Sequence, residues 1–335
     1  MAIKRSISLY SYQQAYYLGQ LDLRGCVAEA AKTGAEGIEL IPEQMPVGSF
    51  PTNRQKDIDW WKDLMQEFNV TPTCMDTFID FKMFRDRKRY LTLKEQVAFL
   101  ERDLKLAHDL GFPVIRVLCK IHFDVIEAAL PIAEYYGVKM GTEIHPPVMI
   151  DSPYIDGYVE MIERNNTQWA GLIPDFGIFA KHACDPAVEQ QIRSGISPEA
   201  AWLIRDQVRD GRPVKETVAK LKAMGASERE IGLASSMGGL PTYNDPASLL
   251  PLMKYILHFH GKCHQLDEDC NETTIDYPNV IKTLSQADWD GYISTEFEGQ
   301  RLYHDEGCDY VEDEIEQVRR HQVLLDRLIR QYAKN

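Results

Sequence analysis

The 335-residue sequence predicts an α/β protein in which eight parallel strands and their crossover helices close into a (β/α)8, or TIM, barrel. Three observations carry this reading. Short β-rich runs alternate with longer amphipathic stretches, the pattern of a parallel sheet whose connections are helices. Eight such runs can be counted. Glycine also recurs at helix-to-strand junctions, at Gly34, Gly111 and Gly137, where a helix stops in a left-handed turn.

In chain order the strand candidates are 5–9, 37–41, 70–75, 114–118, 138–143, 170–174, 255–260 and 292–296. Helical patterns at 23–32, 58–68, 93–110, 123–136 and 155–164 separate the first six, 280–287 precedes the eighth, and 311–332 closes the chain. No Gly-x-Gly-x-x-Gly follows the first strand, so the competing open, dinucleotide-binding sheet lacks its phosphate turn. About 80 residues separate the sixth and seventh strands, far more than a crossover needs. Amphipathic helices at 198–204 and 214–224 and a Gly-rich turn cluster at 235–241 predict a helical insertion spanning 181–245. In a barrel it springs from the C-terminal rim, where it serves as a lid, a docking surface or plain decoration. The expectation is one barrel domain over 1–335, with an acidic, solvated helix start at 309–316.

Composition excludes several function classes. With 44% hydrophobic, 10% aromatic and 26% charged residues, the chain is neither disordered nor fibrous. Thirty-seven Lys and Arg against 51 Asp and Glu give a formal charge of −14, a field that repels nucleic acid and anionic lipid. No apolar run approaches the roughly 20 residues that span a bilayer, and the first residues show no leader pattern, so a cytoplasmic protein is expected. Seven scattered cysteines (26, 74, 119, 184, 263, 270 and 308) without a Cys-x-x-Cys pair read as reduced, mostly buried thiols.

The chemistry gathers at strand ends. Glu143, Asp175, His260 and Glu296 close the fifth to eighth predicted strands, and barrel geometry converges such residues on one point at the mouth. Singly, each has an ordinary explanation: a strand-end carboxylate is commonly solvated or caps a helix, and a lone histidine is commonly hydrogen-bonded in the core. Four in successive units is another matter. Three converging carboxylates repel, and a divalent cation compensates them; three oxygens and one imidazole suit Mn²⁺, Mg²⁺, Co²⁺ or Fe²⁺, with positions left open for substrate oxygens.

These residues sit in fuller motifs: Gly141-Thr142-Glu143-Ile144-His145-Pro146-Pro147, Pro174-Asp175-Phe176-Gly177, His258-Phe259-His260-Gly261-Lys262 and Gly291-Tyr292-Ile293-Ser294-Thr295-Glu296-Phe297-Glu298-Gly299. Together with Gly34-Ala35-Glu36-Gly37-Ile38-Glu39-Leu40 they resemble the xylose isomerase-like barrel superfamily of sugar phosphate isomerases and epimerases, over essentially the whole chain. That resemblance implies that Glu143, Asp175, His260 and Glu296 bind one divalent metal. The Glu143/His145 pair, the run Ile275-Asp276-Tyr277-Pro278 and the long insertion are similar to the α subunits of bacterial C-glycoside deglycosidases. This closer resemblance implies a manganese-type barrel, a separately encoded small β subunit in a heteromer, and lyase action on 3-oxo-C-glycosides.

A C-glycosidic bond has no leaving oxygen to protonate, so the two-carboxylate scheme of ordinary glycosidases does not apply. Oxidation at C3 acidifies the C2 proton and places the aglycone β to the carbonyl, ready for elimination. His145, two residues past Glu143 and in phase with it, is the candidate base, against the alternative that it merely supports Glu143. Lys262 and Glu298 stand two residues beyond His260 and Glu296; they are candidates for enolate stabilisation and sugar binding, or ordinary loop charges. Tyr10, Glu39 and Asp76 are candidate substrate contacts, each equally readable as structural. His258 reads as packed deeper in the barrel and His264 as past the strand. Phe78, Phe176 and Phe179 either stack a flat polyphenol or pack the core.

Two other readings stay open. A metal-dependent ketose 3-epimerase or aldose–ketose isomerase would use Glu143 and Glu296 as proton shuttles and survive loss of His145. A non-catalytic sugar-binding or scaffold subunit would have no physical reason to keep three converging acids. A multi-zinc endonuclease is opposed by the acidic charge.

Overall fold

The computed structural model describes residues 3–79, 89–118, 121–236 and 243–333. The chain opens with β1 (Lys4–Ser8), a 3-10 turn (Leu9–Tyr12), α1 (Gln13–Tyr17) and α2 (Leu23–Lys32). There follow β2 (Gly37–Leu40), α3 (Gln55–Glu67), β3 (Thr71–Thr77), α4 (Leu93–Leu110), β4 (Val114–Val117) and α5 (Phe123–Tyr136). Next come β5 (Lys139–Ile144), α6 (Pro153–Arg164) and β6 (Ala170–Pro174). Between β6 and the next strand lie α7 (Asp185–Arg193), α8 (Pro198–Arg209), α9 (Val214–Ala223) and α10 (Glu228–Ala234). The chain ends with β7 (Phe259–Cys263), α11 (Tyr277–Gln286), β8 (Tyr292–Phe297) and α12 (Glu314–Tyr332).

All eight strands pair in parallel in the order β6-β5-β4-β3-β2-β1-β8-β7. The two ends of this sheet meet through isolated parallel bridges, Leu172 to Ile256 and Asp175 to His260. The result is the expected (β/α)8 barrel, nearly closed, with a seam between β6 and β7. Outside it the helices bury apolar stripes at helical spacing, for example Ile155, Tyr158, Met161 and Ile162 of α6. Two of the glycine stops hold as read: Gly111 (φ 86°) ends α4 and Gly137 (φ 68°) ends α5 in the left-handed conformation. Gly34 takes φ 76° one residue past the Thr33 cap of α2.

Several boundaries differ from the sequence reading. The seventh strand starts at Phe259, not 255, because residues 246–255 wind as a 3-10 segment containing Pro251. The apolar run Tyr255-Ile256-Leu257 that looked like its first half is joined to the β6 backbone by a bridge and the Leu257 N to Leu172 O bond of 3.0 Å rather than by a ladder. The third strand runs on to Thr77, so Asp76 lies inside it. The last helix starts at Glu314, capped by Asp313, whose Oδ1 accepts the Glu316 N–H at 3.0 Å.

Helices α7–α10 carry their own apolar cluster, built from Val188, Ile196, Ala200, Ile204, Leu221 and Ala234. Glu230 ties it together, accepting from the backbone of Ser227 (2.7 Å) and Ser197 (2.9 Å). Arg193 of α7 joins it to the rim after β8, pairing with Asp305 (2.7 Å) and donating to the Leu302 carbonyl (2.6 Å). The predicted turn cluster 235–241 lies outside the described residues from 237 onward, as does Cys119. Of the described cysteines, all unpaired, 26, 74, 184 and 263 are buried and 270 and 308 half-buried. Among the described residues no helix is long and apolar enough to cross a membrane.

Candidate metal centre

Side chains alternate along a strand, so each barrel strand presents residues two apart to the interior, at steps of about 6–7 Å. The lowest step is small or apolar on several strands: Gly37, Cys74, Val114, Gly141 and Ile173. Val114, Ile173 and Cys74 cluster there with Leu257, and a Cβ on Gly141 would overlap Ile173 at 2.5 Å, so the floor is an apolar plug. The next step up is ionisable on seven strands: Glu39, Asp76, Arg116, Glu143, Asp175, His260 and Glu296, all buried. The step above that lines the mouth with Tyr10, Ile41, Phe78, Leu118, His145, Lys262 and Glu298.

Glu143, Asp175, His260 and Glu296 each offer one ligand atom, and these four atoms lie within 4.8 Å of one another. His260 Nδ1 stands 2.9 Å from Glu143 Oε1 and 3.4 Å from Glu296 Oε2. Asp175 follows β6 and caps the 3-10 turn Phe176–Phe179, accepting the Gly177 N–H with Oδ1; its Oδ2 is left for the centre. A side chain at 177 would crowd Oδ1, since a Cβ there would lie 2.9 Å from it.

Two cations are built into this acidic interior. Arg116 bonds Asp76 through Nε (2.7 Å) and lies 3.8 Å from Glu143. Lys262 Nζ lies 2.7 Å from Glu296, 3.1 Å from Asp175 and 3.3 Å from Glu298. Burial by itself pushes the carboxyls up, and these neighbours decide the outcome. Arg116 and the His260 hydrogen bond bring Glu143 down to about 2, and Lys262 and His260 hold Glu296 well below the ordinary range. For Asp175 burial prevails over Lys262, raising it to about 6; for Asp76 it prevails over Arg116, raising it to about 7. Lys262 is held well above its usual value, burial being outweighed by Asp175 and Glu296, so its ammonium is permanent.

The donor set fits a divalent cation. Buried Asp175 Oδ2 and Glu296 Oε2 have no hydrogen bond of good geometry, despite their ion-pair distances to Lys262. Five buried carboxyls face only two permanent cations, a surplus that a divalent ion would reduce. The buried His/Glu/Asp cluster is thus consistent with a divalent metal held by oxygens and one imidazole.

The other candidates are spread over the steps. Tyr10 lines the mouth and its hydroxyl accepts from Arg301 (3.0 Å). Glu39 and Asp76, on the same step as the quartet, are fully buried and line no cavity there. His258 Nε2 donates to Glu39 Oε2 (2.8 Å) and lies 2.9 Å from Ser294 Oγ. His260 Nε2 stands 3.4 Å from the same Glu39 oxygen and 3.9 Å from Asp76, so these acids back the rear of the ring. His145, half-buried, places Nδ1 2.6 Å from the Pro146 carbonyl. His264 follows β7, and burial lowers it to about 4. Phe78 lies over Arg116 at 5.0 Å, whereas Phe176 and Phe179 are core residues, Phe176 packing on Phe259 at 5.6 Å and Tyr277 at 5.1 Å.

Sequence reasoning missed Arg116. The signal was there: an arginine inside the apolar strand Val114-Ile115-Arg116-Val117, in phase with the inward residues.

The family profile of the xylose isomerase-like TIM barrel matches residues 27–321, and the chain belongs to that family. Among curated relatives, the C-glycoside deglycosidase alpha subunit of Arthrobacter globiformis is 28% identical, covering 98% of this chain and 92% of its own. The 3'-dehydrocarminate deglycosidase alpha subunit of a Microbacterium species is 24% identical, covering 88% of this chain and 87% of its own. Among solved structures, the IOLI protein with a bound zinc atom aligns with a TM-score of 0.58 at 15% identity, covering 99% of this chain and 100% of that one; this likeness is one of fold.

Proposed function

We propose that this chain is the catalytic subunit of a divalent-metal-dependent lyase that cleaves the carbon–carbon bond of 3-oxo-C-glycosides, working with a small partner subunit. The observation that carries the proposal is His145. A carbonyl only accepts, so its Nδ1 donates to Pro146; in the neutral ring Nε2 is the nitrogen left with a free lone pair, on a ring lining the cavity beside the quartet. The two relatives above, named as deglycosidase alpha subunits, support both the reaction and the heteromer.

A divalent cation held by Glu143, Asp175, His260 and Glu296, with Mn²⁺ the foremost candidate and Mg²⁺ or Co²⁺ alternatives, supplies Lewis acidity toward the 3-oxo group. His145 Nε2 takes the C2 proton, and the electron pair of that C–H bond forms the C1=C2 double bond. The C1–aglycone bond breaks with its pair on the aglycone carbon, and the imidazolium returns the proton there. Atoms and charge balance without an external oxidant. Lys262 stabilises negative charge developing on the sugar, while Glu298, half-buried and steadied by Lys262 and Arg301 at 3.3 Å each, binds sugar hydroxyls beside Tyr10.

The test is incubation of the metal-loaded chain, with its partner subunit, with a 3-oxo-C-glucoside and separately with free ketohexoses. Release of aglycone and an unsaturated 3-keto sugar is expected, and His145→Gln should lower that rate by roughly 10²–10⁴-fold with bound metal unchanged. A variant that keeps its rate, or a wild type that only stereoisomerises ketohexoses, would refute the scheme.

A further inference from the structure

Two residues of the sequence motifs have no part in the metal centre: Gly261, between His260 and Lys262, and Tyr277, at the start of α11. Both meet His321 of α12, outside the barrel. A Cβ at Gly261 would lie 3.2 Å from His321 Cε1, so the missing side chain lets the ring lie close against β7. His321 Nε2 stands 2.7 Å from the Tyr277 hydroxyl, and Nδ1 stands 2.7 Å from Thr295 Oγ1. Tyr277 in turn donates to the Lys262 carbonyl at 2.6 Å, and Thr295 accepts from Gln322 Nε2 at 2.7 Å. Tyr277, Thr295, His321 and Gln322 are all buried.

The two ends of this relay fix its direction. The Lys262 carbonyl only accepts, so the single Tyr277 proton goes there and the His321 Nε2–H donates to the phenol oxygen. Gln322 Nε2 is held as a donor by the Ser6 carbonyl (3.0 Å), and its Oε1 accepts from Arg5 (3.0 Å), so the Thr295 proton is left for Nδ1. The ring is therefore neutral with its proton on Nε2, and burial pushes its pKa down to about 3.

The seam explains why a side chain is needed here. The Glu298 N–H bonds the Cys263 carbonyl, which therefore faces β8; carbonyls alternate along a strand, so that of Lys262 faces β6. Lys262 lies two residues past the Asp175–His260 bridge, and Tyr277 supplies the partner its carbonyl needs. Thr295 adjoins Glu296 on β8. One imidazole thus joins, outside the barrel, the backbone at Lys262 to the neighbour of Glu296, the two residues whose side chains meet at 2.7 Å inside it. From this closed loop we infer that His321 and Tyr277 are positioning residues: they set where the Lys262 ammonium stands among Glu296, Asp175 and Glu298. That Lys262 acts on a sugar rests on the lyase reading; that its place is set from α12 does not.

Tyr277→Phe removes one oxygen and keeps the ring, and His321→Gln breaks the relay at its centre. Val318→Ala, a buried apolar truncation on the same helix, is the control for lost stability alone. The first readout is the ¹⁵N–¹H resonance of the Lys262 ammonium in Mg²⁺-loaded protein, assigned with Lys262→Met. It should shift, and its protons should exchange faster, in Tyr277→Phe and His321→Gln but not in Val318→Ala. The second is cleavage of a 3-oxo-C-glucoside by the Mn²⁺-loaded protein with its partner subunit, where both relay variants should lose roughly tenfold or more in kcat at unchanged KM and bound metal. A Lys262 signal that neither relay variant moves, or that Val318→Ala moves equally, overturns the inference. If the signal moves as expected but wild type cleaves no 3-oxo-C-glucoside, the lyase reading fails and the positioning stands. If wild type cleaves it and both relay variants keep their kcat, the positioning fails and the lyase stands.

Discussion

The two faces of the His260 ring meet the same kind of chemistry with different access. On the Nδ1 side Glu143 and Glu296 belong to a group that borders the cavity at the mouth; on the Nε2 side Glu39 and Asp76, with Cys74 grouped beside Glu39, are sealed among buried neighbours. Residue type does not separate a ligand-holding face from a supporting one here. Access to the mouth does. The first group is open to the cavity, while the second reaches it only through the ring it backs.

Replacing an acid on the Nδ1 face should therefore have the largest consequence: Glu143→Gln is expected to lose stoichiometric Mn²⁺, read by elemental analysis of the dialysed protein. Glu39→Gln should weaken Mn²⁺ by roughly 10–100-fold in calorimetric titration while leaving the fold intact, the usual effect of an outer partner of a ligand histidine. Equal losses in the two variants would erase the distinction between the faces, and no loss in Glu39→Gln would show that the rear face carries no influence. Cys74→Ala, in the same sealed group, should shift metal affinity little and cost about 1 kcal/mol in denaturant unfolding, as a small buried truncation does.

A fourth prediction concerns a buried acid away from the site. Glu314 accepts the backbone N–H groups of Ala15 (2.7 Å) and Gln14 (3.3 Å), yet burial outweighs them and pushes its carboxyl up from 4.5 to about 7. The folded chain then holds a proton that the unfolded chain has released, so stability contributed by this group falls as pH rises from about 4.5 toward 7. Glu314→Gln should flatten that part of the melting-temperature profile. A parallel profile for wild type and variant would contradict it, and the contrast with Glu143, brought down by Arg116, would lose its cause.

Much of the fold was legible because alternation and glycine stops are local. The ranges of α2, α4 and α5 were read residue for residue, since apolar spacing and terminal caps coincide there. The start of β7 was not, because Tyr255-Ile256-Leu257 has strand composition and only its neighbours show that it is held by a bridge rather than a ladder. The quartet stood out because four chemistry-bearing residues fell at successive strand ends. Access was hidden: Glu39 and Asp76 share residue type and inward strand position with the quartet, and only the packing around them shows that they are sealed from the mouth. Arg116 was overlooked for a related reason, since its strand reads as apolar until its partners are known.

The seam between β6 and β7 gives the quartet a mechanical meaning. Glu143 and Asp175 belong to one lip of the incompletely laddered sheet, His260 and Glu296 to the other, and Asp175 faces His260 directly across the gap. Anything gripped by all four side chains is a clasp that fastens the cylinder where its own backbone ladder is thinnest. The α7–α10 excursion leaves the barrel at that same junction, so its root and the quartet share one edge of the sheet.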